Sequence, residues 1–534
     1  MRFVLSVALA VVCMAQMPGD KAAVEGQVVN RKTGAPLAGA QIRLAGVSGS
    51  QTSAATDRKG HFSVTGLDAG EYRVEAERTG FVPLAWNKVR LTLAAGEQVK
   101  DFTVSLVPQA VISGTVLDAD GVPVANAYVQ AMRYTWQRGK RILANVGGAQ
   151  PNESGEFRIA GLATGDYLIQ AMPRQLAAAP REDKVKRIYV GTWYPGVTEA
   201  GLASPIHVAA GEEHTGVEMT LRTSTVVNVR GRVVHAAMKS PLTAAIVMLT
   251  RIDESGAEAQ VLDPGGMTPA NGQDGAFTLP DVAPGRYQVT ALVADLSAGS
   301  NAFENSASAS QTLQVGDRDV EDITLSPTPP QSLSGVLKWE GKPPKDAGSC
   351  IVALAPETRG LAAQVAPATT KPDGAFTLSS VPPVHSELNA HCEAKGSYLK
   401  AACLGDIDVL EKGLDGSEAL PQGPLQITMA SDAGGIAGNV ADGDQHPAAG
   451  ATVVAVPEDS KRPALFHSTV SDQKGHFEFT DVVPGAYMLY AWDEVDGEIW
   501  RDEEFLKKYA QRAERVKVDS SGHVAATLKV IKAE

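Results

Sequence analysis

Apolar and polar residues alternate with a period of two along much of the chain. Ala40, Ile42 and Leu44 alternate with Gln41 and Arg43, and Tyr72, Val74 and Ala76 alternate with Arg73, Glu75 and Glu77. That period puts one face of a strand into a core and leaves the other wet. The helical period is scarce. Between Asp502 and Arg515, Phe505, Leu506, Tyr509 and Ala510 fall on one stripe, which predicts one or two helical turns there.

The strand pattern comes in copies. The first has Gly26-Gln27-Val28, then Pro36-Leu37-Ala38-Gly39-Ala40, Asp57 to Gly60 leading into Phe62, and Gly70-Glu71-Tyr72. The second repeats it with Gly114-Thr115-Val116, Gly155-Glu156-Phe157 and Gly165-Asp166-Tyr167. The third has Gly231, Phe277 and Tyr287, and the fifth Gly438, Phe477 and Tyr487, with ten residues from Phe to Tyr in all four. A fourth copy keeps Gly335 and Phe376 but reads His385-Ser386 where Gly-x-Tyr is expected. The turn Gly before each Phe supplies a positive φ for a hairpin, and Phe62 and Tyr72 start two neighbouring strands with inward rings.

Phe62, Phe157, Phe277, Phe376 and Phe477 are 95, 120, 99 and 101 residues apart, which suits two-sheet sandwiches of seven strands with their own cores. The chain of 534 residues is too long for one core. The predicted architecture is all-β: a tandem array of about five immunoglobulin-like or transthyretin-like seven-strand β-sandwich modules, at 24–108, 110–223, 226–328, 331–430 and 433–532. Residues 1–15 read as a secretory signal, with Arg2 ahead of an apolar run too short to be a transmembrane anchor, and acylation at Cys13 as the alternative to cleavage near Ala15.

The series Gly-x-Val, Pro-x-x-Gly-Ala, Asp-x-x-Gly-x-Phe, Gly-x-Tyr resembles the carboxypeptidase regulatory-like domain. That resemblance implies a transthyretin-like sandwich grouped with carbohydrate-binding-like folds and close to collagen-adhesin B-type repeats. Thr192 to Thr198 and Asp502 to Tyr509 are also similar to stretches of exported multi-repeat proteins of soil-type bacteria. The matched residues are turn and core residues, so the resemblance implies architecture and export, to the periplasm or the cell exterior, and not chemistry.

A formal charge of −13 with scattered Lys and Arg lacks the footprint that nucleic acid requires. None of the ten histidines begins a His-x-x-Glu zinc pair, and no nucleophile elbow, phosphate loop or dinucleotide glycine motif stands in a strand-to-helix context. The expectation is therefore a chain that is not an enzyme, with no catalytic residue, cofactor or metal site. His61 and His476 read as exposed turn residues, and the acidic run from Asp493 to Glu504 lacks the spacing of a calcium loop.

Aromatic clusters at Tyr134-Thr135-Trp136, Trp193-Tyr194 and Tyr490, Trp492 and Trp500 set two readings against each other. As exposed platforms, Trp136, Trp193, Tyr194, Trp492 and Trp500 would hold a ligand; otherwise each ring packs on its own sandwich or the next module. Cys350 and Cys392 occupy inward positions of one module and are expected to form a disulfide bond, with Cys392 to Cys403 the next choice. Lys338 is the near match for a Lys–Asn crosslink, and 425–429 offers no Asn. The function expected is an exported binding or interaction protein, its partner a carbohydrate or another envelope protein; the alternatives are a structural spacer and an accessory subunit of an outer-membrane transporter.

Overall fold

A computed structural model describes residues 21–47, 49–83, 89–137, 139–173, 186–235, 243–252, 258–271, 274–295, 306–356, 366–382, 384–416, 419–458, 462 and 465–532. The expected signal segment 1–15, with Cys13, lies outside the described residues. The chain divides into two compact units, Met1–Pro108 and Gln109–Glu534.

The first unit shows the recurring sandwich. Its strands are β1 (Ala22–Asn30), β2 (Gln41–Gly46), β3 (Gln51–Ala55), β4 (His61–Leu67), β5 (Gly70–Glu77), β6 (Arg90–Leu93) and β7 (Gln98–Leu106). One sheet runs β4-β1-β7 and the other β3-β2-β5-β6, and the first and last strands of the module pair in parallel. Val24, Val28, Ile42, Leu44, Phe62, Tyr72, Val74 and Leu91 meet between the sheets. Each comes from the inward parity of its strand, as the alternation requires.

The same two-sheet arrangement recurs four times among the described residues of the second unit, each time with its own core. It also corrects the reading of the turn and the two aromatics. β4 and β5 belong to opposite sheets, so Phe62 and Tyr72 face one another across the core and do not stand on neighbouring paired strands. The turn at Asp57 to Gly60 likewise carries the chain from the edge strand β3 of one sheet to β4 of the other and closes no hairpin. Gly60 has φ +76, and its carbonyl accepts from the Val28 amide at 2.9 Å, tying the turn to β1. Asp57 accepts from the amides of Lys59 and His61, and those two bonds hold its carboxyl below the ordinary carboxylate range.

The Tyr of each Gly-x-Tyr donates its hydroxyl to the carbonyl four residues upstream. Tyr72 reaches Asp68 at 3.0 Å, Tyr167 Ala163 at 2.7 Å, Tyr287 Ala283 at 2.9 Å and Tyr487 Val483 at 2.9 Å. This is the corner lock of immunoglobulin-type sandwiches: an inward ring whose polar end is satisfied by the chain crossing between the sheets.

The fourth module does without that lock. Ser386, fully buried, donates to the Val384 carbonyl at 3.0 Å, and the freed volume is filled by Val409 and Leu414 around the short helix α1 (Val409–Lys412). Its strand Tyr398–Leu404 joins the sheet of the first strand, which grows to five strands. Cys350 and Cys392 flank the paired strands Ile351–Pro356 and His385–His391 and are disulfide-bonded; Cys403 is free and exposed.

Bulges on the counterparts of β4 bear on the joints between modules. Four residues after the core Phe, Gly66 and Gly161 have φ +78 and +80, and Asp281 and Asp481 have φ 60 and 56. Where that residue is Asp, its carboxylate takes a group from the preceding module. Lys186 Nζ lies 2.6 Å from Asp281, and the Gly396 amide donates to Asp481 at 2.7 Å.

Candidate functional site

The second and fifth modules break the simple alternation on the strand that carries the Tyr. In β5 the outward side chains are Glu71, Arg73 and Glu75, whereas in Gly485–Trp492 they are Met488, Tyr490 and Trp492. A strand apolar on both faces needs a cover on each. In the fifth module 493–513 supplies it, through the helix α2 (Glu503–Tyr509) and a 3-10 turn on either side. Asp502 starts α2 by accepting from the Phe505 amide at 2.8 Å. Tyr490 stacks on Trp492 with centroids 5.1 Å apart, Phe505 lies 5.6 Å from Trp492, and Phe466 lies 6.1 Å from Trp500. Together with Val454, Val456 and Tyr509 these rings make a second core on the outer face of the sheet.

The second module builds its own cover from 191–205. Thr192–Trp193 pairs with the Tyr strand opposite Gln170, and Trp193 packs with Met132, Leu143, Leu168 and Ala200. The cis Tyr194–Pro195 bond and the 2.9 Å bond from the Ser204 amide to the Tyr194 carbonyl shape this loop, and the Tyr194 ring leans on the module core. Beside it a polar ladder crosses three strands: Asn145 donates to Gln130 at 2.7 Å and Gln130 to Gln170 at 2.6 Å. Arg141 lies 3.9 Å over the ring of Tyr134, on the long hairpin that also carries Trp136.

The fifth module's cover meets this hairpin of the second module. The Trp136 carbonyl accepts from the Glu498 amide at 3.1 Å, and Arg133 faces Asp496 at 3.7 Å. Gly497, at φ +53, fits so closely that a Cβ on it would stand 2.5 Å from the Trp136 carbonyl oxygen. At the hairpin tip, Gly139 lies against Arg501, whose guanidinium covers the rings of Phe466 and Trp500 at 5.5 and 5.1 Å. The second and fifth modules, distant in sequence, are therefore in contact within the second unit.

Most of the nominated rings are consumed in this way. Trp193 is 6% exposed, Trp500 4% and Trp492 0%, which corrects the reading of them as exposed platforms; Trp136 and Tyr194 are partly buried. The physical reason is the two covers: Trp492 points outward from its strand and is roofed by 493–513, whereas Trp500 and Trp193 belong to the covers and pack down into the outer-face clusters. The acidic run is also engaged, Asp496 with Arg133, Glu498 with Arg501, Asp502 as a helix cap and Glu504 with Lys507. Among the described residues no three His, Cys, Asp or Glu side chains gather as a metal site, and no helix is long and apolar enough to cross a membrane.

The joint itself was not visible in the sequence. Its ion pair, Arg133 with Asp496, joins residues too far apart in sequence for their pairing to be read there, and its hydrogen bond joins backbone groups of Trp136 and Glu498, which carry no residue-type signal. The covers did leave one: Tyr487-Met488-Leu489-Tyr490-Ala491-Trp492 is an unbroken apolar run, the mark of a strand buried on both faces.

Residues 23–105 and 435–495, in the first and fifth modules, match the carboxypeptidase regulatory-like domain. No curated protein matches the chain. Among solved structures, the chain is similar to the TIE protein of Bacillus anthracis (14% identity, TM-score 0.18), covering 57% of this chain and about half, 51%, of that one. It is also similar to the major pilin subunit of Bacillus cereus (13% identity, TM-score 0.16, 58% of this chain and 100% of that one). A third similarity is to the minor pilin of Streptococcus agalactiae (12% identity, TM-score 0.22, 38% and 95%). Likenesses at these TM-scores carry no functional argument.

Proposed function

We propose, from the premise that the first and fifth modules are carboxypeptidase regulatory-like domains, that the chain is an exported, non-catalytic scaffold of the cell envelope that makes protein contacts through modules held in fixed relation. One observation carries this reading: the aromatic side chains of the second and fifth modules are spent on roofing their own sheets, and the two modules are joined by backbone and ion-pair contacts between the hairpin of the second and the cover of the fifth. Rings spent on internal packing do not form a sugar platform, and a joint between distant modules serves an assembly that must keep its geometry.

The carbohydrate reading keeps one foothold, the rings of Trp136 and Tyr194 in the second module, which are only partly buried. A glycan-array screen of the mature chain beside Trp136→Ala and Tyr194→Ala decides between them. The scaffold reading expects no saturable binding by any of the three. Saturable binding by the native chain, lost in either variant with its fold intact, would replace the scaffold with a sugar-binding protein.

A further inference from the structure

His467 puts an imidazole where the fifth module gives its buried edge nothing to bond. Its strand, His467–Val470, is four residues long and forms the edge of its sheet, paired only with Thr452–Pro457. The ring lies 6.0 Å from Phe479 and 6.3 Å from Tyr487, and Nε2 is buried without a hydrogen-bond partner. The Tyr487 hydroxyl is already given to Val483. Asp481 is the charged group that acts on the imidazole, and its carboxylate is engaged by the Gly396 amide. Burial holds the imidazole below its ordinary range, against the opposing charge of Asp481.

The residue immediately before that strand, Phe466, supports the joint. Its ring packs on Trp500 and lies under the Arg501 guanidinium, in the turn that follows the Glu498 amide held by Trp136. We propose that His467 is an acid-sensitive release for the joint between the second and fifth modules. A proton on Nε2 has no acceptor inside the module, so the protonated ring is stable only outside it. The short edge strand then peels away, Phe466 leaves with it, and the turn carrying Glu498 loses its floor. The device depends on the joint alone and stands whether or not a sugar site exists.

The sign follows from linkage. A histidine with a lowered pKa in the folded state leaves stability complete above the unfolded value of about 6.5, and stability falls as pH drops below it, levelling off only under the folded value. The test is the exchange protection of the Glu498 amide, read by NMR in the full mature chain at about pH 7.5 and about pH 5.5, relative to the same amide in an unstructured peptide. Protection is expected to fall by up to about tenfold per pH unit below about 6.5 in the native chain, and to hold in His467→Phe and His467→Gln. Equal loss in the native chain and in whichever of the two variants folds overturns the proposal. So does unchanged protection, or direct observation that His467 takes up its proton while the Glu498 amide stays protected.

Discussion

Gly335 stands directly opposite Phe376 in an antiparallel pair, so close that a Cβ on the glycine would lie 2.2 Å from the ring. Gly26 and Phe62, Gly114 and Phe157, Gly231 and Phe277, and Gly438 and Phe477 are paired in the same way. The glycine of the first strand and the Phe that follows the turn are thus two halves of one contact, with the last strand of each module closing in behind the glycine. At Gly114 the added Cβ would meet the Val217 carbonyl oxygen at 1.8 Å, a clash with backbone that no rotamer relieves.

Gly335→Ala is therefore expected to destabilise the fourth module by about 3 kcal/mol through overpacking. Gly201→Ala, where nothing lies within 4 Å, should stay within about 0.5 kcal/mol of the native chain. A urea series checks both, followed by exchange of the fourth module's strand amides for Gly335→Ala and of the second module's for Gly201→Ala. Equal stability of the two variants would remove the paired contact from the account.

The repeat was legible because its residues answer to local geometry. The glycines, the turn and the inward Phe and Tyr are required wherever two sheets must meet at that spacing, so they recur with the fold. What was not legible depends on tertiary placement. Whether Phe62 and Tyr72 share a sheet or oppose one another does not alter their alternation, and an outward Trp492 reads as exposed until the chain that roofs it is placed. Buried hydroxyls escaped for the same reason. Thr56, Thr370 and Ser471 each accept from the amide of a core residue, Ala40, Cys350 and Ala451, at 2.9, 2.8 and 3.0 Å, yet in sequence they are ordinary turn residues.

Asp481→Gly keeps a residue suited to the left-handed conformation and removes the carboxylate that holds Gly396. Exchange of the Gly396 amide should rise by about tenfold or more, as expected for loss of a hydrogen bond to a charged acceptor. The core amides of the fifth module should keep their protection. If Gly396 exchanges no faster, Asp481 does not fix the joint with the fourth module.

The Tyr487 hydroxyl is pushed up to about 12 by burial. Its folded value lies above the unfolded value of about 10, so its contribution is complete below about pH 10 and is lost as pH rises from there through about 12. Alkaline unfolding of the fifth module, followed by tyrosinate absorbance, should begin within that window. Tyr487→Phe should be less stable at neutral pH by about 1 kcal/mol, for the lost bond to Val483, and less steep in its alkaline loss. An alkaline profile identical to that of the native chain would show that other groups govern it.

Trp492 and Trp136 separate packing from binding. Trp492 is 0% exposed, with rings of Tyr490 and Phe505 against it and its indole nitrogen buried without a partner. Trp492→Ala should cost the fifth module about 4 kcal/mol by leaving a cavity in the outer-face core. Trp492→Phe should recover much of that loss, because the unpaired N–H goes with the indole. Trp136 is partly exposed and contributes its carbonyl to the joint, a group that every residue carries, so Trp136→Ala should leave protection of the Glu498 amide within about threefold of native. A large loss there, with the second module intact, would mean that the indole itself holds the joint. A Trp492→Ala chain as stable as the native one would mean that the roof over the fifth module is not a core, and would reopen the case for that ring as a surface.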